Sequence, residues 1–221
     1  MNLISQLYQT TERSCAGSEA TSRRVISMLK GASAFYFGDE AVTPQLLREA
    51  GYATTAYITE KSRVRDGMQY ADSFALPEPA KECDVLWYNG VAEFDPLSVR
   101  LEQLRECCKK GGTVVFRALC WLIDPSPDTL SYCRKRYGLM QPLDKALQEA
   151  KAAGFKVEDF CISPRSDWTK GYFAPLMQAA EQLSGERDGD VLSGMGELKK
   201  EADMFELHCE EYSYVYYILK G

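Results

Sequence analysis

Two apolar runs of strand length, separated by one amphipathic segment, constrain the fold more than any other feature of the chain. Cys83 to Asn89 and Thr113 to Leu119 are nearly continuous apolar runs, which is typical of parallel strands covered on both faces. Between them, Val99 to Lys110 has helical periodicity and a basic end, and Gly111-Gly112 ends it. The pattern predicts a strand–helix–strand unit of a parallel sheet.

The same alternation extends along the chain in both directions. It predicts a doubly wound, Rossmann-like α/β fold with right-handed crossovers. We expect a mostly parallel seven-stranded sheet with a C-terminal antiparallel strand and a helical insertion. The further predicted strands are Ser33 to Phe37, Ala53 to Thr59, Gln69 to Ser73, Lys156 to Ile162 and, as a strand or hairpin arm that includes His208, Phe205 to Leu219.

The connection between the second and third predicted strands is unusually short. Only Glu60 to Met68 lie there, a charged stretch that contains Gly67. A parallel crossover with its helix normally needs about 10 to 12 residues. We therefore predict that this crossover has no full helix.

Composition and charge exclude several classes of partner. The 221 residues suffice for one sizeable core, and the net charge of −6 lacks the basic footprint of a nucleic-acid binder. No run approaches the ~18 apolar residues of a membrane span, and no secretory signal opens the sequence. The eight cysteines show no CxxC spacing, which favours a reducing cytoplasm and no metal site. The sequence is compatible with a homodimer and does not define the oligomeric state.

Ligands of open parallel sheets bind beyond the carboxyl ends of the strands, at the switch point of strand order. After the second strand, Glu60 can hold ribose hydroxyls, and after the third, Asp72 and Ser73 can meet an adenine amine. Each carboxylate also has an alternative interpretation as a turn or cap residue. After the first and fourth strands the candidates are Gly38, Asp39, Glu40, Tyr88, Asn89 and Glu93.

Several of these segments resemble class I S-adenosylmethionine-dependent methyltransferases. Asp72-x-x-x-Leu76-Pro77, followed by Cys83-Asp84-Val85, is similar to their third-to-fourth-strand pattern. Leu104 to Gly112 resembles their Leu-Lys-Pro-Gly-Gly turn, with Lys110 in place of proline. The C-terminal half resembles a small-molecule subgroup in Trp121, Tyr137, Ala153-Gly154-Phe155, Trp168-x-x-x-Tyr172-Phe173-x-Pro175-Leu176 and Tyr214 to Ile218.

The resemblance implies one domain, residues 1–221, that binds S-adenosylmethionine and a small-molecule acceptor. Residues 1–32 would form a helical lid, 33–120 the cofactor-binding half and 121–221 the substrate-side half. Gly38, Asp39, Glu40, Glu60, Asp72, Ser73 and Tyr88 are the implied cofactor residues. Asn89 or Glu93 would orient the acceptor, within an aromatic pocket of Trp121, Trp168 and Tyr172. These aromatic residues have the alternative interpretation of core residues.

The departures from the family are concentrated in the first half. The family's first strand ends in an acid and a Gly-x-Gly-x-Gly turn, because only glycine lets backbone amides approach the cofactor closely. Here Tyr36 to Ala41 contain one glycine. Asp39 and Glu40 either contact the methionine amine or are solvated loop charges. The sequence therefore also admits a degenerate binding module that has lost the cofactor, whereas the missing Gly-x-Gly-x-x-Gly disfavours a nicotinamide oxidoreductase.

Overall fold

A computed structural model describes residues 7, 11, 13, 15–71, 78–89, 96–183 and 189–221. Their strands form one sheet in the order β3-β2-β1-β4-β5-β8-β7, with β6 paired to β5. All pairings are parallel except those of β8 with β5 and β7. The predicted doubly wound sheet with an antiparallel C-terminal strand is confirmed. The strands are β1 (Ser33–Gly38), β2 (Ala53–Ile58), β3 (Gln69–Tyr70), β4 (Val85–Asn89), β5 (Thr113–Trp121), β6 (Gln141–Pro142), β7 (Lys156–Ile162) and β8 (Tyr212–Lys220).

Helices cover both faces of the sheet. A five-residue π-helical turn, Thr169–Phe173, joins α6 to α7 and belongs to the helical insertion before β8. The helices are α1 (Glu19–Ser27), α2 (Val42–Glu49), α3 (Leu97–Cys107), α4 (Pro127–Tyr137), α5 (Leu143–Ala152), α6 (Arg165–Trp168), α7 (Ala174–Leu183) and α8 (Gly189–His208). Two 3-10 turns lie at Lys61–Arg63 and Glu78–Glu82.

The short second crossover is confirmed. Between β2 and β3 the chain forms only the 3-10 turn Lys61–Arg63. The charged stretch is too short to cross the sheet edge and also complete a helix. The wall that such a helix would provide is therefore missing beside β2.

One local prediction was wrong. Phe205 and His208 belong to the last turns of α8 rather than to a strand, because Phe205 packs against Trp168 at 4.4 Å while Leu207 faces solvent, as a helix permits. Thr43, which resembles a helix N-cap, lies inside α2. Its hydroxyl donates to Glu40 at 2.6 Å instead, and Ala41 occupies the cap position without a side-chain bond.

The two faces of the sheet bury different residues because successive side chains of a strand point to opposite sides. Tyr36, Trp87, Val115 and Tyr216 pack with α1 and α2 on one face. Phe37, Tyr88 and Phe116 belong to the cluster on the other face. A third cluster lies between the end of β5 and the helical insertion, around Trp168. The position of a residue in this alternation therefore decides on which face of the sheet its side chain lies.

Candidate functional site

The switch point of the sheet lies between β1 and β4. The chain winds outward from β1 to β3 and then returns to place β4 on the other side of β1. Gly38 and Asn89 are register partners at the carboxyl ends of these strands. Because ligands of such sheets bind at this point, the loop that follows Gly38 is the structural candidate for a site.

Glu40 is the centre of a buried polar network at this point. Its carboxylate is 1% exposed and pairs with Arg13 of the N-terminal segment. It also accepts hydrogen bonds from the Thr43 hydroxyl at 2.6 Å and from Asn89 Nδ2 at 3.0 Å. Asn89 is itself held by Trp87, whose Nε1 donates to Asn89 Oδ1 at 3.0 Å. Glu40 is therefore not a solvated loop charge.

Asp39 is held in a second ion pair. Arg63, from the 3-10 turn after β2, donates to the Asp39 carboxylate at 3.2 Å and to its backbone carbonyl at 3.0 Å. The guanidinium is 3% exposed, and the carboxylate is 19% exposed. The charged turn that replaces the crossover helix thus supplies a cation to the switch point.

A third arginine approaches the network from β5. Arg117 is buried, and its Nη2 lies 2.7 Å from Cys15 Sγ while its Nη1 donates to the Tyr216 hydroxyl at 3.3 Å. It also lies over the Tyr214 ring, 5.1 Å from the centroid. Two carboxylates and three guanidinium groups therefore meet at this end of the sheet.

The electrostatic consequences of this arrangement differ between the two acids. For Glu40, burial raises the pKa, but Arg13, Arg117, the Thr43 hydrogen bond and Arg63 together outweigh burial and hold the pKa below its ordinary value. For Asp39, burial and the neighbouring Glu40 raise the pKa above its ordinary value. Burial, then Glu40 and Asp39, raise the pKa of Tyr36 well above the ordinary value. The hydroxyl of Tyr36 is buried and has no hydrogen-bond partner among the residues that the structure describes.

Gly38 is closely surrounded at the strand end. A Cβ added to Gly38 would lie 2.6 Å from the Tyr36 hydroxyl and 2.8 Å from Asn89 Cβ. Contacts this short do not occur without displacement of the neighbouring groups. Glycine is therefore required at position 38, because the Tyr36 hydroxyl and Asn89 Cβ occupy the space of a side chain.

Two other predicted cofactor residues, Glu60 and Tyr88, are not brought into this network. The Glu60 carboxylate accepts from the Ser62 amide at 3.2 Å and hydroxyl at 2.9 Å, as a cap of the 3-10 turn. Tyr88 points to the opposite face of the sheet, where its ring stacks on Phe37 with 5.5 Å between the ring centroids and lies under the guanidinium of Arg100. Asp72, Ser73 and Glu93 lie outside the described residues.

The predicted acceptor aromatics belong to the third cluster, as their alternative interpretation as core residues requires. Trp168 is 1% exposed, stacks between Phe205 and Tyr214, and donates from Nε1 to Ser213 Oγ at 3.0 Å. Trp121 packs edge-on against Tyr212 at 6.1 Å. Tyr172 is 5% exposed and also lines a surface pocket. Of the three residues, only Tyr172 is placed at the wall of this pocket.

Sequence reasoning missed the residues that dominate the network: Arg13, Arg63, Arg117 and Tyr36. Arg117 left a detectable signal, since it is a single charge inside the apolar run Thr113 to Trp121. A charged residue within a buried strand needs a partner. Arg13 and Arg63 stand in polar stretches and left no comparable signal. Among the described residues no group of His, Cys, Asp or Glu is placed to hold a metal ion.

No family model matches the chain, and no curated protein matches its sequence. Solved structures do match its fold. A methyltransferase from Geobacter sulfurreducens, solved with S-adenosylhomocysteine, has a TM-score of 0.78 at 12% identity, over 99% of this chain and 98% of that one. A methyltransferase from Thiobacillus denitrificans, with the same ligand, matches at 0.78 and 12% identity over 98% and 97%.

A larger protein shares the same architecture. Phosphoethanolamine N-methyltransferase 2 from Haemonchus contortus, solved with S-adenosylmethionine, has a TM-score of 0.68 at 11% identity, over 98% of this chain and 57% of that one. All three matches cover at least 98% of this chain. The chain has the fold of class I S-adenosylmethionine-dependent methyltransferases.

Proposed function

We propose that the chain is an S-adenosylmethionine-dependent methyltransferase that acts on a small-molecule acceptor. The observation that carries the proposal is the group of acceptors at the switch point: the carboxylates of Asp39 and Glu40 and the hydroxyl of Tyr36. The fold and the ligands of its structural neighbours support the same interpretation.

The residues present fit the cationic amine at the methionine end of the cofactor. No described residue hydrogen-bonds to the buried Tyr36 hydroxyl, which costs free energy until a donor binds. The Glu40 carboxylate accepts three hydrogen bonds, whereas an ionised carboxylate has about four acceptor positions. The raised pKa of Asp39 reflects burial and then the nearby Glu40, so an added cation at this place offsets both.

In this proposal Asp39, Glu40 and Tyr36 hold the amine, and Glu60 is the candidate for the ribose hydroxyls. Asn89 acts as a positioning residue, because its amide links Glu40 to Trp87. Asp72, Ser73 and Glu93 keep their predicted roles, while Tyr88, on the opposite face, is not included. The aromatic residues Trp121, Trp168 and Tyr172 remain the proposed acceptor side.

The bound cofactor would supply an electrophilic methyl group. The task of the chain is then to align the acceptor with that group and to exclude water. Neither task requires a dedicated proton-transfer pair. The absence of histidine from the switch-point network is therefore compatible with the reaction.

The ion pairs of Asp39 and Glu40 favour a second candidate, a degenerate binding module. Arg63 and Arg13 already neutralise the two acids. If these ion pairs do not rearrange, binding of a cation at the switch point gains little free energy. The module would then keep the fold and bind other ligands without the cofactor.

A titration with S-adenosylhomocysteine separates the two candidates. Ligand at about 100 times its dissociation constant stabilises a fold by roughly 2.7 kcal/mol, which corresponds to a melting shift of about 5 to 11 °C for a chain of this size. Isothermal calorimetry then gives the affinity. The absence of a shift at millimolar ligand would reject the methyltransferase and leave the binding module.

Tyr36→Phe tests the placement of the amine. The variant removes only the unpartnered hydroxyl, so we expect an unchanged or more stable ligand-free protein and a several-fold weaker affinity for the ligand. Tyr70→Phe, at a half-exposed edge position, is the matched control. Equal affinity in the wild type and Tyr36→Phe would place the amine elsewhere.

We further propose a reducing, cytoplasmic environment. All eight cysteines are free, and Cys120, Cys133 and Cys161 are buried. Burial raises the pKa of the Cys120 and Cys133 thiols to about 12. No described helix is long and apolar enough to span a membrane.

A further inference from the structure

A pocket of about 530 Å³ lies between the N-terminal segment, the start of α1 and the helical insertion. Its walls include Arg13, Gly17, Ser18, Lys170 and Gln178. The pocket shares Arg13 with the switch-point network and Tyr172 with the proposed acceptor side. The lining includes two cationic side chains, Arg13 and Lys170.

The ion pair of Arg13 with Glu40 uses only one of the two terminal nitrogens of the guanidinium group. Its Nη1 pairs with Glu40, whereas its Nη2 is buried and has no hydrogen-bond partner in the described part of the chain. The side chain is 7% exposed. A buried guanidinium nitrogen without an acceptor costs free energy, and an anionic group in the pocket that Arg13 lines would remove that cost.

The N-terminus of α1 opens at the same pocket. Ser18 caps the helix by accepting from the Thr21 amide at 3.1 Å, and the first bond inside the helix joins the Ser22 amide to the Ser18 carbonyl. The amides of Glu19 and Ala20 therefore have no partner within the helix. Such amides and the helix dipole favour an anion.

The helical insertion is held against the N-terminal segment by a close glycine contact. The Gly17 amide donates to the Asp167 carbonyl at 3.3 Å. A Cβ added to Gly171 would lie 2.1 Å from the Gly17 carbonyl oxygen. This contact brings Lys170 to the wall that faces α1 and Arg13.

From these contacts we propose that the pocket binds a small molecule through a carboxylate or phosphate group, held by Arg13 Nη2, the first amides of α1 and Lys170. The single acid of the lining, Glu19, is well exposed and lies 3.9 Å from Arg23. Because Glu40 already offsets the charge of Arg13, the preference for an anion comes from Lys170, from the helix terminus and from the hydrogen-bonding capacity of Arg13 Nη2. The inference does not depend on cofactor binding.

The test uses inorganic phosphate and acetate, without cofactor, on the full chain. Binding is followed by the line width of the ³¹P signal of phosphate and of the ¹³C signal of carboxyl-labelled acetate. Lys170→Glu reverses an exposed charge of the pocket, and Lys145→Glu makes the same change on α5, outside the lining. Arg13→Lys keeps a cation beside Glu40 but removes the unpartnered nitrogen.

We expect saturable broadening of at least one probe by the wild-type protein. Lys170→Glu and Arg13→Lys should each weaken binding about tenfold, as the loss of a charge-assisted hydrogen bond predicts, and Lys145→Glu should leave it within about twofold. Broadening by phosphate alone selects a phosphate ester, and broadening by acetate alone selects a carboxylate. No saturable broadening by either probe, or equal weakening by Lys170→Glu and Lys145→Glu, would overturn the proposal.

Failure of this site is distinguishable from failure of the methyltransferase proposal. The anion probes are titrated in the absence of cofactor, and S-adenosylhomocysteine is titrated in the absence of phosphate. Tyr36→Phe should change only the second titration, and Lys170→Glu only the first. Each proposal is therefore tested by its own titration.

Discussion

Arg13→Met should be the most informative change at the switch point, because it leaves the Glu40 carboxylate buried without its ion-pair partner. The carboxylate is 1% exposed and would retain only Thr43 and Asn89 as donors. Removal of one partner of a buried pair costs about 3 to 5 kcal/mol. Arg117 also favours the charged form of Glu40, so we expect about 3 kcal/mol, or roughly 6 to 12 °C in melting temperature.

The loss should depend on pH with a defined sign. In the wild type the pKa of Glu40 lies below its ordinary value, so the stabilisation is present above the unfolded pKa of about 4.3 and is lost as pH falls through the folded pKa. In Arg13→Met we expect burial to dominate and to raise the folded pKa. The deficit of the variant should then grow as pH rises above about 4.3 and shrink below it.

Urea unfolding followed by tryptophan fluorescence, at about pH 5 and about pH 8, measures both effects. Glu40→Gln in the Arg13→Met background should recover part of the loss, because no unpaired charge remains. Arg23→Met, whose half-exposed guanidinium pairs with Glu49 at 2.7 Å, is the control and should cost about 1 kcal/mol or less. A cost for Arg13→Met no larger than that of Arg23→Met, or independence of pH, would refute the reasoning.

Two further predictions concern contacts away from the network. Gly171→Ala should lower the melting temperature, because its Cβ would lie 2.1 Å from the Gly17 carbonyl oxygen. Gly196→Ala in α8 is the control and should leave the melting temperature unchanged, because the space around Gly196 is open. Equal melting temperatures of the two variants would contradict the contact. Asp84→Asn should destabilise the fold above about pH 4. The hydrogen bond from Lys109 and those from the start of β1 hold the pKa of Asp84 well below its usual value of about 3.9. The stabilisation by the Asp84 carboxylate is therefore lost as pH falls through the folded pKa. Thermal unfolding of wild type and Asp84→Asn across pH checks this, and a constant difference from acid to neutral pH would count against it.

The elements that could be predicted from the sequence are those with a local signal. The apolar runs of β4 and β5 and the helix between them follow from periodicity and from Gly111-Gly112. The missing crossover helix follows from a count of residues before Gln69. Phe205 to His208 were assigned to a strand because a short apolar stretch fits a helix and a strand equally well, and only packing against Trp168 decides between them.

The sequence by itself determined the order of most strands and helices, the acids that follow β1 and the presence of a single glycine between Tyr36 and Ala41. Only the tertiary structure decided the partners of those acids. Arg13 reaches Glu40 from 27 positions away, and Arg63 reaches Asp39 from 24. Periodicity and spacing report on neighbours within one element, whereas an ion pair between elements depends on how the sheet and its N-terminal segment pack together.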